Sequence, residues 1–215
     1  FDFELFKKHV AVAQRMMDDI IDLELEKVDL IINKVASDPE EEEIRTVEYE
    51  LWKKIKEMAL KGRRTGLGIT AEGDMLAALG LRYGSDEAID FAVSVHRTLA
   101  VEAYRASVKM AQERGAFPIY DTEREKGNPM IERIKEADPE LYAQMEKYGR
   151  RNIAMLTIAP TGTTSLMSQT TSGIEPVFSY AYTRRNTVGK TFVLVHPYFE
   201  AELANVLAGM GYTGK

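Results

Sequence analysis

Three observations predict a helix-rich α/β fold for this sequence. Two long segments, Phe3 to Lys34 and Asp86 to Glu113, repeat apolar residues near the 3.6-residue period of an amphipathic helix. A short apolar run, Ile153-Ala154-Met155-Leu156-Thr157-Ile158-Ala159, has the length of a buried strand. It is stopped by Pro160, which has no N–H to give a neighbouring strand. With 215 residues, the chain can bury a core as one large domain or two small ones.

The first helix would carry Leu5, Val12, Met16, Ile20, Leu23 and Val28 on its apolar positions. Asp18, Asp19, Asp22, Glu24 and Glu26 fall on several faces, which reads as a solvated surface rather than a metal site. Asp38-Pro39-Glu40-Glu41-Glu42-Glu43 reads as a helix start with Pro39 at the first position and acids favoured by the dipole. That helix continues through Leu51, Trp52, Ile55 and Met58 and ends at Gly62. Gly66 to Gly73 is glycine-rich and precedes a helix from Asp74 to Leu79. Its third glycine is misplaced for GxGxxG, so the glycines are expected to allow tight packing of a short strand on a helix.

Ser85 caps the second long helix, whose apolar positions are Ile89, Val93, Leu99, Ala103 and Val108; His96 on it reads as packing or surface. Gly115 ends that helix, and Phe117 to Tyr120 reads as a short extended piece. Gly127-Asn128-Pro129 then turns the chain into a polar helical hairpin reaching Tyr148, restarted at Asp138-Pro139-Glu140 and read as an insert without chemistry. Arg150 and Arg151 lie at the far end of the expected strand from the loop that follows it, and read as surface or interface residues. A second strand is expected from Val177 to Tyr182, with Arg184 and Arg185 after it.

Composition excludes several classes. A net charge of −6 and a pI near 5.3 argue against a nucleic-acid backbone binder. No apolar run approaches a membrane span and no signal peptide opens the chain, so a cytoplasmic protein without a membrane partner is expected. With no cysteine there is no disulfide framework, thiolate metal site or nucleophilic thiol. His9, His96 and His196 are far apart and none stands in an HxxH or HExxH setting, so no metal site is expected. The start at Phe1 and the abrupt ending Gly211 to Lys215 read as those of a processed chain or an excerpt.

The chemistry-bearing stretch is Thr161-Gly162-Thr163-Thr164-Ser165, which puts four hydroxyls around one glycine before a helical turn at Leu166 and Met167. Strand, hydroxyl-rich loop and helix start together form a geometry that binds phosphate. First-turn N–H groups are free, the dipole favours an anion, and hydroxyls add neutral donors. The same residues also make an ordinary N-cap and turn, and both readings stand at this level. The GxxxxGK[ST] pattern is missing, so a nucleotide here would be held by neutral donors.

IAPTGTTS, followed by SGIEPVF (Ser172 to Phe178) and YTRRN (Tyr182 to Asn186), resembles the catalytic subunit of ribonucleotide reductases, the vitamin B12-dependent class II branch most of all. A second block, RRTGLGITAEGDMLAALGLRYGSDEAI from Arg63 to Ile89, resembles the stretch that in this family lies between the active-site cysteines and the phosphate loop. The resemblance implies a portion of a ten-stranded α/β barrel. Residues 1–62 would form a long helical pair, 63–149 a helical segment with a polar insert, and 150–215 the phosphate-loop strands and helices. It also implies conversion of ribonucleotides to deoxyribonucleotides by thiyl-radical chemistry with adenosylcobalamin.

Thr161, Gly162, Thr163, Thr164 and Ser165 would then grip the phosphates of a ribonucleoside di- or triphosphate. Pro160 and Glu175 would lie at the substrate cleft, although Glu175 could equally cap the turn before Pro176. The family's catalytic cysteines lie largely upstream, so no catalytic residue is assigned here. The chain is expected to be inactive without the remainder of the catalytic subunit, and a homodimer is compatible with the resemblance. Two other readings are an oxygen-dependent or glycyl-radical reductase, and a non-catalytic helical module for nucleotide binding or interaction. A degenerate relative that binds nucleotides without the cysteines is a further one.

Overall fold

Asp2 opens the first helix by accepting the Leu5 N–H at 2.9 Å, and the helix runs from Phe3 to Ala36 (α1). The computed structural model describes residues 1–212, so Thr213–Lys215, the last of the abrupt ending, lie outside the described residues. After α1 come α2 (Glu42–Gly62), α3 (Glu72–Ala78), α4 (Asp86–Arg114), α5 (Thr122–Glu125), α6 (Pro129–Ala137), α7 (Pro139–Tyr148) and α8 (Gly162–Ser168). The antiparallel strands β1 (Ala181–Arg185) and β2 (Thr191–Val195) precede α9 (Pro197–Gly209). The chain divides into two units, Phe1–Gly68 with Ser94–Thr157 and Ile69–Val93 with Ile158–Lys215.

In the first unit, α1 buries Val10, Gln14, Asp18, Ile21, Leu25, Val28 and Val35. Of the apolar positions expected to face inward, Val28 is buried, while Leu5, Val12, Met16, Ile20 and Leu23 are exposed. The helix carries two apolar stripes, and periodicity alone cannot say which is covered. Helix α2 begins at Glu42, three residues after Pro39, because the Asp38 carboxylate accepts the Glu40 N–H at 3.3 Å and holds that stretch in a local turn. It ends as expected at Gly62, with Arg63 in the left-handed region at φ 44°.

The expected strand from Ile153 is instead an extended segment with one parallel bridge, Leu67 to Leu156. The pairing around it is regular. Ile153 donates to the Gly62 carbonyl (2.9 Å), Thr65 to Ala154 (2.9 Å), Leu67 to Met155 (2.6 Å) and Thr157 to Leu67 (2.9 Å). Close approach requires glycine, since a Cβ on Gly68 would lie 2.2 Å from the Thr157 carbonyl oxygen. The glycines thus permit tight packing, but against this extended segment rather than a helix. The fold is helix-rich α/β, and the sheet among the described residues has two strands.

The helical hairpin read as an insert is part of the core. Ile131 and Ile134 of α6 and Leu141 and Met145 of α7 pack with Tyr104 and Val108 of α4 and with Met155. Its helix starts follow the sequence signals, Asn128 accepting from Met130 at 3.0 Å and Asp138 from Leu141 at 2.9 Å, each ahead of a proline. Phe117 to Tyr120 is a turn, closed by the Tyr120 N–H on the Phe117 carbonyl at 2.9 Å.

Asp18, expected on a solvated face, is fully buried, and so is Asn152. The Asp18 carboxylate accepts from Arg63 Nε (2.8 Å), Asn152 Nδ2 (2.9 Å), Arg151 Nε (3.3 Å) and Arg114 Nη1 (3.5 Å). Burial alone would raise the Asp18 carboxyl. The hydrogen bond and charge of Arg63, with Asn152 and Arg151, outweigh it and hold the group below its ordinary value. Asp19 pairs with Arg114 and Asp22 with Arg63, so the three carboxylates, although clustered, are neutralised by arginines. Arg150 is likewise no surface residue. It is 2% exposed, grips both oxygens of Glu125 (2.6 and 3.0 Å), and sits among the rings of Tyr104, Phe117 and Tyr120.

In the second unit, Ser85 starts α4 as expected, its hydroxyl accepting the Ala88 N–H at 3.3 Å. The β1–β2 hairpin pairs Ala181 with Val195 through Arg185 with Thr191, and every residue of both strands is exposed. β1 begins at Ala181 rather than Val177, which places Arg184 and Arg185 inside it.

Candidate functional site

The loop begins with a strained residue. Thr161, the N-cap of α8, has φ 51° and ψ 25°, a conformation a β-branched side chain rarely adopts. Its own hydroxyl helps to hold it there, accepting the Gly173 N–H at 2.7 Å and lying 3.0 Å from Thr70 Oγ1. The first intrahelical bond runs from the Ser165 N–H to the Thr161 carbonyl at 2.8 Å. Helix geometry therefore leaves the N–H groups of Gly162, Thr163 and Thr164 without an acceptor inside α8.

The five expected phosphate residues have two kinds of position. Gly162, Thr163 and Thr164 are exposed, and a Cβ on Gly162 would meet nothing within 4 Å. Thr161 and Ser165 face inward as fasteners. Ser165 is 2% exposed, and its hydroxyl donates to the Gly162 carbonyl at 3.2 Å and lies 2.8 Å from Ser172 Oγ. Pro160 is exposed, next to Thr161 in the chain.

The GIEP turn follows from Gly173, which sits at φ 51° and donates to both Thr161 Oγ1 and Thr70 Oγ1. Glu175 donates its N–H to the Ser172 carbonyl at 3.0 Å, and its residue is exposed. The turn lies directly on Gly73, where a Cβ would come within 2.5 Å of the Glu175 carbonyl oxygen. Tyr83 donates its hydroxyl hydrogen to the Ile174 carbonyl at 2.8 Å.

Several residues that support the loop carried no signal in the sequence. Asp74 Oδ2 accepts the Thr171 N–H at 3.0 Å, and the Asp74 N–H donates back to Thr171 Oγ1 at 3.2 Å. Asp74 Oδ1 lies 2.8 Å from His196 Nε2. Thr70 donates to the Thr171 carbonyl at 3.1 Å. These partners stand 97 to 122 residues apart. The one local hint is that Thr70 and Asp74 follow the glycine pair Gly66 and Gly68 within a single helical start.

The family model for the ribonucleotide reductase barrel domain matches residues 1–208. The chain belongs to that family. Among relatives of this barrel-domain chain, the vitamin B12-dependent ribonucleoside-diphosphate reductase of Mycobacterium tuberculosis (strain CDC 1551 / Oshkosh) is 32% identical over 199 residues, covering 93% of this chain and 22% of that protein. The protein of the same description from Thermoplasma acidophilum is 32% identical over 200 residues, covering 93% of this chain and 20% of the relative. The ribonucleoside-diphosphate reductase subunit alpha of Chlamydia pneumoniae is 28% identical over 221 residues, covering 94% of this chain and 19% of its own length. This barrel-domain chain thus spans about a fifth of the length of these relatives.

Proposed function

We propose that this chain is part of a ribonucleotide reductase that converts ribonucleotides to deoxyribonucleotides, and that it contributes the substrate phosphate-binding loop. The observation that carries the reading is the exposed run Gly162, Thr163 and Thr164 on the first turn of α8, held out by the inward fasteners Thr161 and Ser165. Three N–H groups and two hydroxyls are presented there on a backbone that is already fixed. An anion bound there meets donors that need no reorganisation. Gripping the phosphates fixes the ribose relative to the reacting groups, which is a catalytic contribution in itself. Pro160, exposed next to Thr161 in the chain, and Glu175, exposed in the GIEP turn, belong to the proposed substrate cleft. The names of the relatives favour a ribonucleoside diphosphate as substrate over a triphosphate.

The radical-bearing and reducing cysteines of thiyl-radical chemistry are assigned to the remainder of the catalytic subunit, since this chain has no cysteine. Adenosylcobalamin would supply the initiating radical when bound to the whole enzyme. Its binding is assigned to the whole enzyme and to none of the described residues. No helix among the described residues is long and apolar enough to cross a membrane, and the proposed enzyme is cytoplasmic.

Thr163→Ala and Thr164→Ala in the full-length enzyme test the reading. Each should raise the KM for the nucleotide about tenfold, the worth of one hydrogen bond to a charged group, while the melting temperature stays unchanged. A shared loss of melting temperature with unchanged nucleotide affinity would reduce the loop to a helix cap. A nucleotide titration without saturable binding would favour the helical interaction module instead.

A further inference from the structure

The pair formed by Asp74 and His196 lies outside the loop, yet the shortest hydrogen bond to the Thr161 hydroxyl comes from the strip Asp74 anchors, and Thr70, its other partner, is bonded to that strip. Thr171 is the first residue of that strip. Its N–H donates to Asp74 Oδ2 and its hydroxyl accepts the Asp74 N–H, so the start of α3 and Thr171 are clasped in both directions. Its carbonyl accepts from Ala71 at 3.2 Å and from Thr70 Oγ1 at 3.1 Å. Two residues on, Gly173 reaches Thr161 Oγ1 at 2.7 Å, and its carbonyl accepts the Glu72 N–H at 3.2 Å.

Asp74 is 8% exposed and can accept bonds from two directions. Thr171 takes one oxygen, and His196 Nε2, at 2.8 Å, takes the other. A carboxylate oxygen only accepts, so Nε2 carries the hydrogen of that bond. The backbone that carries the imidazole is itself held. His196 is the N-cap of α9, and its backbone N–H donates to the Tyr180 carbonyl at 2.8 Å. The bond from Nε2 to Oδ1 orients the Asp74 carboxylate with Oδ2 toward Thr171.

We infer that Asp74, oriented by His196, is a positioning residue for the substrate phosphates. It acts through Thr171 and Gly173 on the conformation of Thr161, and so on the direction of the N–H groups that follow. The inference rests on the phosphate reading of the loop. In this inference the pair acts through the strip and not on the reacting atoms. Its loss therefore shows in affinity for the phosphate part of the nucleotide and spares the chemical step.

The test compares His196→Ala, His196→Gln and Asp74→Asn in the full-length reductase, with Thr163→Ala and Thr164→Ala alongside. Three quantities are read: KM and kcat for a ribonucleoside diphosphate, affinity for the nucleoside without phosphates, and melting temperature. His196→Ala should raise KM about tenfold, with kcat within about twofold and nucleoside affinity unchanged. Glutamine, which can return an N–H donor near the Nε2 position, should recover most of that loss. Asparagine at 74 keeps one acceptor oxygen and should fall between wild type and His196→Ala.

If KM is unchanged in His196→Ala, or if diphosphate and nucleoside weaken equally, the inference is overturned. A lowered melting temperature that glutamine fails to separate from KM overturns it as well. Should the loop variants weaken diphosphate binding while the Asp74 and His196 variants do not, the positioning role falls and the phosphate loop stands. Should the loop variants leave affinity unchanged, the phosphate reading falls first.

Discussion

Removing the Asp18 carboxylate is the sharpest perturbation available in the first unit. Asp18→Ala deletes an acceptor that four side-chain donors share at 2.8 to 3.5 Å. Arg63, 4% exposed, is left with Asp22 as its remaining carboxylate, and Asp22 is half exposed. Breaking a buried pair by removing one partner costs about 3–5 kcal/mol, because the other charge stays buried. At roughly 2–4 °C per kcal/mol for a domain of this size, the melting temperature should fall by about 6–20 °C. Asp22→Ala removes the exposed half of the same arginine's pairing and should cost about 0–1 kcal/mol.

The pH dependence has a definite sign. The folded-state carboxyl is held below its ordinary value of 3.8. Its contribution is therefore fully present above that pH and is lost as pH falls through the depressed folded value. Asp18→Asn lacks this titration, so the stability gap between it and the parent should be constant near neutrality and should shrink only below about pH 4. Thermal melting of the three variants across that range is the assay. Equal losses for Asp18→Ala and Asp22→Ala, or a gap that persists undiminished in acid, would refute the assignment of Asp18 as the hub.

Two further outcomes are expected. Gly68→Ala should destabilise by about 1–3 kcal/mol or more by thermal melting, because its Cβ would stand 2.2 Å from the Thr157 carbonyl oxygen, whereas Gly162→Ala, with open space, should melt like the parent. Arg150→Lys should cost about 3 kcal/mol in chemical denaturation despite keeping the charge. One ammonium cannot replace a guanidinium that binds both Glu125 oxygens and the carbonyls of Asn152 and Ile153.

What could be read from the sequence divides along physical lines. Helix positions were legible because their signals are local: Ser85, Asn128-Pro129 and Asp138-Pro139 each act within one turn. The covered face of α1 was not legible. Leu5, Val12, Met16 and Ile20 make a better apolar stripe than the buried one, which is interrupted by Gln14 and Asp18. The polar network escaped for the same reason. The partners of Asp18 are 45 to 134 residues away, and a lone aspartate or arginine carries no mark of what it will meet. Charges at Asp18, Arg150 and Arg151 looked solvated because most such charges are. The loop was legible as a hydroxyl-rich helix start, but the sequence could not separate Thr161 and Ser165, which fasten, from Gly162, Thr163 and Thr164, which face out.

The two units dispose of charge in opposite ways, and the difference bears on the loop. In the first unit buried charges are brought together and cancelled, with Asp18 against Arg63 and Arg151, and Arg150 against Glu125. Around the loop, by contrast, the hydrogen-bond partners of Thr161, Ser165 and Gly173 are hydroxyls and backbone groups. The nearby carboxylate in this network, Asp74, has its oxygens occupied by Thr171 and His196. A carboxylate left open beside the first turn of α8 would oppose an anion through the same field that a helix start uses to attract one. Engaging Asp74 from two sides uses its accepting capacity in shaping the strip. Neutral donors on a rigid backbone would hold the proposed phosphate without the tight charge pairing that would slow its release. On the proposed reading, a loop that takes up and releases a nucleotide at every turnover would have reason to be built this way.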